Sequence, residues 1–216
     1  MGKVIAIDGP SGSGKSTISK KIADRLGYTY LDTGALYRSV ALKLRNSSVP
    51  EDASDAEIAS ILKDTSVKVR DGDIYLDGAL VGDEIRTTEI GHYSSVFSAR
   101  KVVRDFLFDI QRSASDDNDI VAEGRDMTTV VFPDAYRKFF LTASDEERAG
   151  RRFRQLKDKG MDITVQQAMD DVKKRDERDS NRDIAPLKKA EDATMIDTSS
   201  MSIEQTIDII LEHITG

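Results

Sequence analysis

The chain has 216 residues, with 39 acidic against 32 basic side chains and a formal net charge of -7. No apolar run approaches the ~20 residues of a membrane span and no charged-apolar-small leader opens the chain, so a soluble, intracellular and cytoplasmic protein without membrane contact is expected. The acidic balance excludes a general affinity for nucleic acid, zero cysteines exclude disulfides and thiolate metal sites, and His92 and His213 are too isolated to build a metal cluster.

In chain order, the apolar run at 3–8 (KVIAID) predicts a first strand, and GPSGSGKST at 9–17 follows it directly. The spacing Gly9-x4-Gly14-Lys15-Ser16 is that of a P-loop, in which small residues bend the backbone until several N–H groups converge on one anion at a helix N-terminus. The cradle therefore comprises Gly9, Pro10, Ser11, Gly12, Ser13, Gly14, Lys15, Ser16 and Thr17. Lys15 is expected to reach the β- and γ-phosphates of a nucleotide, and the Ser16 hydroxyl to take a position on the Mg2+ that travels with it.

Four more strands are predicted at 28–32, 119–123, 138–143 and 194–198, separated by helical patterns at 15–26, 34–46, 100–115, 144–158, 163–180 and 202–214. This alternation predicts an α/β fold, a five-stranded parallel sheet with helices on both faces. The last helix opens with the capping pattern Ser202-x-x-Gln205 and carries Ile203, Ile207, Ile210, Leu211 and Ile214 as a core-facing stripe.

Residues 54–97 break the rhythm. The runs 67–70 (VKVR) and 74–77 (IYLD) around Gly72-Asp73 predict an antiparallel hairpin, with a third short strand at 79–82, while 50–57 reads as a connector running into a helix. A hairpin does not belong inside a parallel layout, so an inserted subdomain is expected at 54–97, within a core of 1–53 and 98–216.

Farther on, Arg148, Arg151 and Arg152 share one helical face, as do Arg175, Arg178 and Arg182. Acidic side chains nearly balance the basic ones there, so many of these charges suit a solvated face. The glycine-centred turn 157–162 between the two helices nevertheless predicts a lid, at about 148–182, able to close over phosphates. The strand ending in Glu123 places Gly124, Arg125 and Asp126 at a strand end, where open α/β sheets bind ligands. The residues alone leave open a kinase for CMP, UMP or another small acceptor, and an ATP-binding regulatory module.

The motifs IDGPSGSGKST (7–17), LDTGALYR (31–38), GDEIRTTEI (82–90), EGRDMTTVVFPDA (123–135), SDEERAGRR (144–152) and RDERDSNRDIAPL (175–187) together resemble those of the bacterial cytidylate kinases. That resemblance covers essentially the whole chain. It implies a nucleoside monophosphate kinase fold with a helical lid and a monophosphate-binding insert, acting as a monomer on ATP and CMP or dCMP with Mg2+. It further implies that Arg38 and Arg125 hold the acceptor phosphate with Arg182 helping from the lid, and that Lys15, Arg125 and Arg182 act on the transferred group. Thr33 would lie beside the acceptor and Tyr37 would line the pocket. Ser95, Arg104 and Asp126 fall at the positions that read the cytosine ring, Arg175 and Asp179 at those that contact the sugar. Thr128 stands where the family usually has glycine.

Overall fold

A computed structural model describes residues 2–215. Its elements run β1 (Val4–Asp8), α1 (Lys15–Leu26), β2 (Thr29–Asp32), α2 (Thr33–Asn46), α3 (Asp55–Lys63), β3 (Val67–Arg70), β4 (Asp73–Leu76), β5 (Ala79–Leu80), α4 (Thr88–Phe97), α5 (Lys101–Ser113), β6 (Ile120–Gly124), β7 (Arg137–Thr142), α6 (Asp145–Asp158), α7 (Val165–Asn181), β8 (Thr194–Asp197) and α8 (Ile203–Thr215). A 3-10 turn at Asp83–Arg86 precedes α4, and a π-helical turn at Met127–Val131 follows β6.

The main sheet has the order β2-β6-β1-β7-β8, with every pairing parallel. All of β1 is buried because both faces of the sheet are covered, which is why the strand reads as one apolar run. Alternate residues serve alternate faces. Val4 and Ala6 join Leu31, Leu36, Val40, Val103 and Leu107 under α2 and α5. Ile5 and Ile7 join Ile18, Ile22, Phe139, Ile207 and Ile210 under α1 and α8. The Ser202 capping pattern forms as read, since Ser202 N donates to Gln205 Oε1 at 2.8 Å and Gln205 N to Ser202 Oγ at 3.1 Å.

The insert holds the second sheet, antiparallel in the order β3-β4-β5. Its first turn lies one residue earlier than Gly72-Asp73, at Asp71 and Gly72, whose φ values are 51° and 86°. A two-residue hairpin turn needs positive φ at both central positions, and Asp-Gly supplies them in that order. Asp77 and Gly78 repeat the geometry at 51° and 87°. The third strand is shorter than the expected 79–82 and stops at Leu80. Helix α4 was absent from the sequence reading. It is capped by the Thr87 side chain and buries Ile90 and Phe97, seven residues apart, on one face. Ile58, Leu62, Val67, Ile74, Ile85, Ile90 and Phe97 of the insert merge with the α2–α5 side of the sheet core, so the insert shares that core rather than building its own.

Candidate active site

The P-loop leaves β1 at the carboxyl edge of the sheet and enters α1. Gly9 has φ 149° and a side-chain carbon there would lie 2.0 Å from Leu141 O; Gly12 has φ 77° and would meet Arg148 O at 2.9 Å. The loop closes so tightly on β7 and α6 that only glycine fits at both places. Lys15, the first residue of α1, folds over the loop and donates through Nζ to Pro10 O at 2.8 Å and to Ser13 Oγ at 3.4 Å. Burial and the nearby Arg125 guanidinium pull its pKa down to about 7 against the pull of Glu123 and Asp8. A polyanion at the loop would supply the countercharge that this buried ammonium lacks. Ser16 and Thr17 beside it are exposed.

A single large cavity of about 1590 Å³ runs from the P-loop to the insert and under the lid helices. It brings together Gly12, Gly14, Lys15, Ser16, Thr17, Thr33, Tyr37, Arg38, Ser95, Arg125, Asp126, Arg151, Arg152, Arg175, Asp179 and Arg182 from nearly the full length of the chain. Among the expected residues, Gly9, Pro10, Ser13, Arg104 and Arg148 are not on its wall.

Arg104 lies behind Asp126. It is 7 % exposed, pairs through Nη2 with Asp126 Oδ2, donates Nη1 to Ser98 O at 3.1 Å, and stacks 5.5 Å from the Tyr37 ring. On the other side Arg182 Nη2 stands 3.6 Å from Asp126 Oδ1, while its Nε donates to Ala185 O at 2.6 Å. Burial raises the pKa of Asp126, and the Arg104 and Arg182 guanidiniums work against that rise. Tyr37 is pushed up to about 12 by burial and by the Asp126 charge.

Arg125 leaves the end of β6 and donates Nε to Asp179 Oδ2 on α7 at 2.8 Å, tying the lid helix to the sheet edge. Burial alone would lower the pKa of Arg125, but the Asp179 and Glu123 carboxylates outweigh it and the shift is upward. The arginines likewise overcome burial at Asp179 and hold its carboxyl low. Arg175 goes the other way: burial and the neighbouring Arg125 and Arg152 lower it to about 10. Arg38 is held by Asp32 at 3.1 Å, yet its Nε is buried with no hydrogen-bond partner among the described residues, as is Arg182 Nη2. Thr33 anchors the same floor by donating to Glu123 O at 2.6 Å.

The lid arginines divide their labour. Arg148 donates to Ser11 O, Ala143 O, Asp145 and Asp176, so its guanidinium is spent on protein partners beneath the loop. Arg151 spans Thr198, with 2.9 Å to its hydroxyl and 2.8 Å to its carbonyl, and reaches Gly12 O at 3.4 Å. Arg152 pairs with Asp171 at 2.7 Å. The tip of the lid, Lys159, donates to Arg86 O of the insert at 2.9 Å.

Asp8 and Asp176 escaped sequence reasoning, and Arg178 was read only as a lid-face arginine, without its partner. Asp8, fully buried, accepts from Met127 N at 3.0 Å and from Thr128 N and Oγ1, both at 2.7 Å, and burial raises its pKa to about 6. Thr128 thereby adds a hydroxyl tie to β1, and its backbone stays outside the left-handed region. Asp176 accepts from the P-loop amide of Ser11 at 3.0 Å. Arg178 meets Ser95 across the cleft. The acid ending β1 was visible in the motif, whereas nothing local distinguishes Asp176 and Arg178 from their charged neighbours.

A P-loop at the carboxyl edge of a five-stranded parallel sheet, facing a second cluster of arginines under a two-helix lid, is the architecture of a P-loop kinase. A gluconokinase from Sinorhizobium meliloti shares this fold at TM-score 0.50 and 14% identity, the alignment covering 98% of this chain and 91% of that one. The sequence profile of the cytidylate kinases matches residues 5–216. A cytidylate kinase of Thermosipho melanesiensis is 50% identical over 96% of this chain and 94% of its own length, and one of Thermodesulfovibrio yellowstonii is 49% identical over 99% and 98%. The chain belongs to the cytidylate kinase family and is a nucleoside monophosphate kinase.

Proposed function

We propose that the enzyme transfers the γ-phosphoryl group of ATP to CMP or dCMP, giving ADP and CDP or dCDP. The observation that carries this reading is the convergence of Arg38, Arg125, Arg175 and Arg182 on the same cavity that holds Lys15. Cations gathered in one cleft repel one another, as the lowered pKa of Arg175 reflects, and a second phosphate would offset that repulsion. Arg38 and Arg125 grip the acceptor phosphate, with Arg182 beside them. Arg175 and Asp179 face the sugar.

The base rests against Asp126, which accepts from the exocyclic amine of cytosine. Arg104 acts from behind, holding that carboxylate ionised and in place, and Ser95 donates to a ring acceptor. The insert, residues 54–97, supplies the acceptor wall and α6–α7 the lid.

No general base is needed, because the attacking phosphate oxygen is already an anion. Catalysis comes from positioning and from cations aimed at the equatorial oxygens of a loose transition state. Lys15 and Arg125 flank that position, and Arg151 and Arg152 close the rim. Among the described residues no group of three His, Cys, Asp or Glu side chains is arranged to hold a metal. The exposed Ser16 hydroxyl at the start of α1 suits Mg2+ that arrives already bound to ATP phosphates and keeps its waters. That ion would neutralise charge on the transferred group, and Ser16 is the residue that would help to hold it.

Chromatographic separation of the products from ATP, CMP and Mg2+ tests the reaction. Equal amounts of ADP and CDP are expected; ADP released without CDP would contradict it.

A further inference from the structure

Arg178 sits on α7, whose basic side chains Lys173, Lys174, Arg175 and Arg178 form no ion pair among the described residues. Among the described residues no carboxylate lies within ion-pairing distance of it. Its hydrogen bond runs instead across the cleft, from Nη1 to Ser95 Oγ on α4 of the insert at 2.5 Å. Both residues line the substrate cavity. The lid and insert touch at two further points, Lys159 Nζ to Arg86 O at 2.9 Å and the Thr88 hydroxyl to Met161 Sδ at 3.4 Å, so the Arg178 bond belongs to a continuous seam.

A free serine hydroxyl is a poor judge of a base, because it donates and accepts with equal ease. A guanidinium occupying one lone pair changes that. The positive guanidinium beside the oxygen disfavours a second incoming N–H, and the hydroxyl proton is turned away from the arginine toward the cavity. Cytosine offers an unprotonated ring nitrogen to such a donor, whereas uracil presents an N–H there, donor against donor.

We propose that Arg178 is a positioning residue for acceptor choice: its bond to Ser95 commits that hydroxyl to donating, so the pocket favours a pyrimidine with an unprotonated ring nitrogen when lid and insert meet. This rests on the reading above that Ser95 faces the acceptor base. The selectivity is therefore shared between the two halves of the cleft.

The test compares kcat/KM for CMP and UMP in the wild type, Arg178→Met, Arg178→Lys, Ser95→Ala and the Arg178→Met/Ser95→Ala double variant, with KM for ATP measured alongside. Arg178→Met is expected to lower the CMP-to-UMP ratio about 10-fold, Arg178→Lys to retain most of it, and the double variant to fall no further than Ser95→Ala, as coupled residues do. If Arg178→Met keeps the wild-type ratio while Ser95→Ala loses it, the Arg178 role is overturned and the Ser95 reading stands. Equal losses with CMP and UMP in Arg178→Met would show a merely structural contact and also overturn it. If Ser95→Ala itself keeps the ratio, the reading of Ser95 fails and the inference falls with it.

Discussion

Arg104 and Asp126, 7 % and 2 % exposed, form a buried ion pair at the edge of the large cavity, with Asp126 on its wall and Arg104 behind it. The arginine stands in the layer that holds the Asp126 carboxylate rather than on the cavity surface, where the proposed reading puts the base. Removing it would leave Asp126 with the less favourably placed Arg182 and Arg125, and breaking a buried pair in this way typically costs about 3–5 kcal/mol. Arg104→Met is therefore expected to lower kcat/KM for CMP on the order of 10²-fold and to lower the melting temperature, with binding of an ATP analogue close to normal. Steady-state kinetics, a fluorescence titration and a thermal melt check the three parts. Unchanged CMP kinetics would remove Arg104 from acceptor recognition.

Lys15 caps the P-loop through Pro10 O and Ser13 Oγ and is 5 % exposed. Lys15→Ala removes a charge aimed at the transferring group, and a loss of on the order of 10²-fold or more in kcat is expected. The far-ultraviolet circular dichroism should not change, since burial of a lone ammonium is itself unfavourable. Near-normal turnover would take this lysine out of the mechanism.

The Asp8 carboxyl gives a pH signature of stability. Burial raises its pKa from 3.8 to about 6 despite three hydrogen bonds from Met127 and Thr128. Between those values the folded state binds more protons than the unfolded one, so this group stabilises below about pH 4 and its contribution is lost as pH rises through 6. Carboxyls with lowered pKa, such as Asp179 and Asp77, oppose it. The diagnostic quantity is therefore the stability of the wild type minus that of Asp8→Asn, from urea unfolding at several pH values. It should decline from pH 4 to 6 and then level. A flat difference would mean that Asp8 titrates normally.

The lid makes its own prediction. Helices α6 and α7 meet at a turn with Gly160 at φ 74°, and this tip reaches the insert through Lys159 and Met161. A segment held by so few contacts opens locally at low cost. Amide hydrogen exchange over 157–162 is expected to slow markedly when a bisubstrate analogue is added. Exchange that stays the same would argue against a closing lid.

How much of this was legible in the chain depends on whether a residue's partner is near in sequence. The P-loop and the five strands were readable because each is a largely apolar run or a fixed glycine spacing, and the capping pattern at Ser202 is local by nature. The hairpin was visible but slipped by one residue, since Asp71-Gly72-Asp73 offers two overlapping turns and only Asp71-Gly72 has both φ values positive. Helix α4 stayed hidden because Gly91 and the polar run beside it mask the Ile90 and Phe97 stripe. The π-helical turn after β6 is a tertiary product: the amides of Met127 and Thr128 turn toward Asp8, about 120 residues away in sequence. Arg104 and Arg148 carried the right charge to read as ligand contacts, but only packing shows that both stand behind the wall. The bonds Ser11 to Asp176 and Arg178 to Ser95 span 165 and 83 positions, beyond any local pattern.

The central claim is that this cavity accepts a cytosine monophosphate because Asp126, held by Arg104 and Arg182, meets its amine. Uracil reverses the pattern at its ring nitrogen and at position 4, leaving buried groups unpaired at roughly 1–3 kcal/mol each. A coupled ADP-release assay across CMP, dCMP, UMP and AMP measures this directly. CMP and dCMP are predicted to exceed UMP and AMP in kcat/KM on the order of 10²-fold or more. Phosphorylation of UMP or AMP as efficient as that of CMP would contradict it.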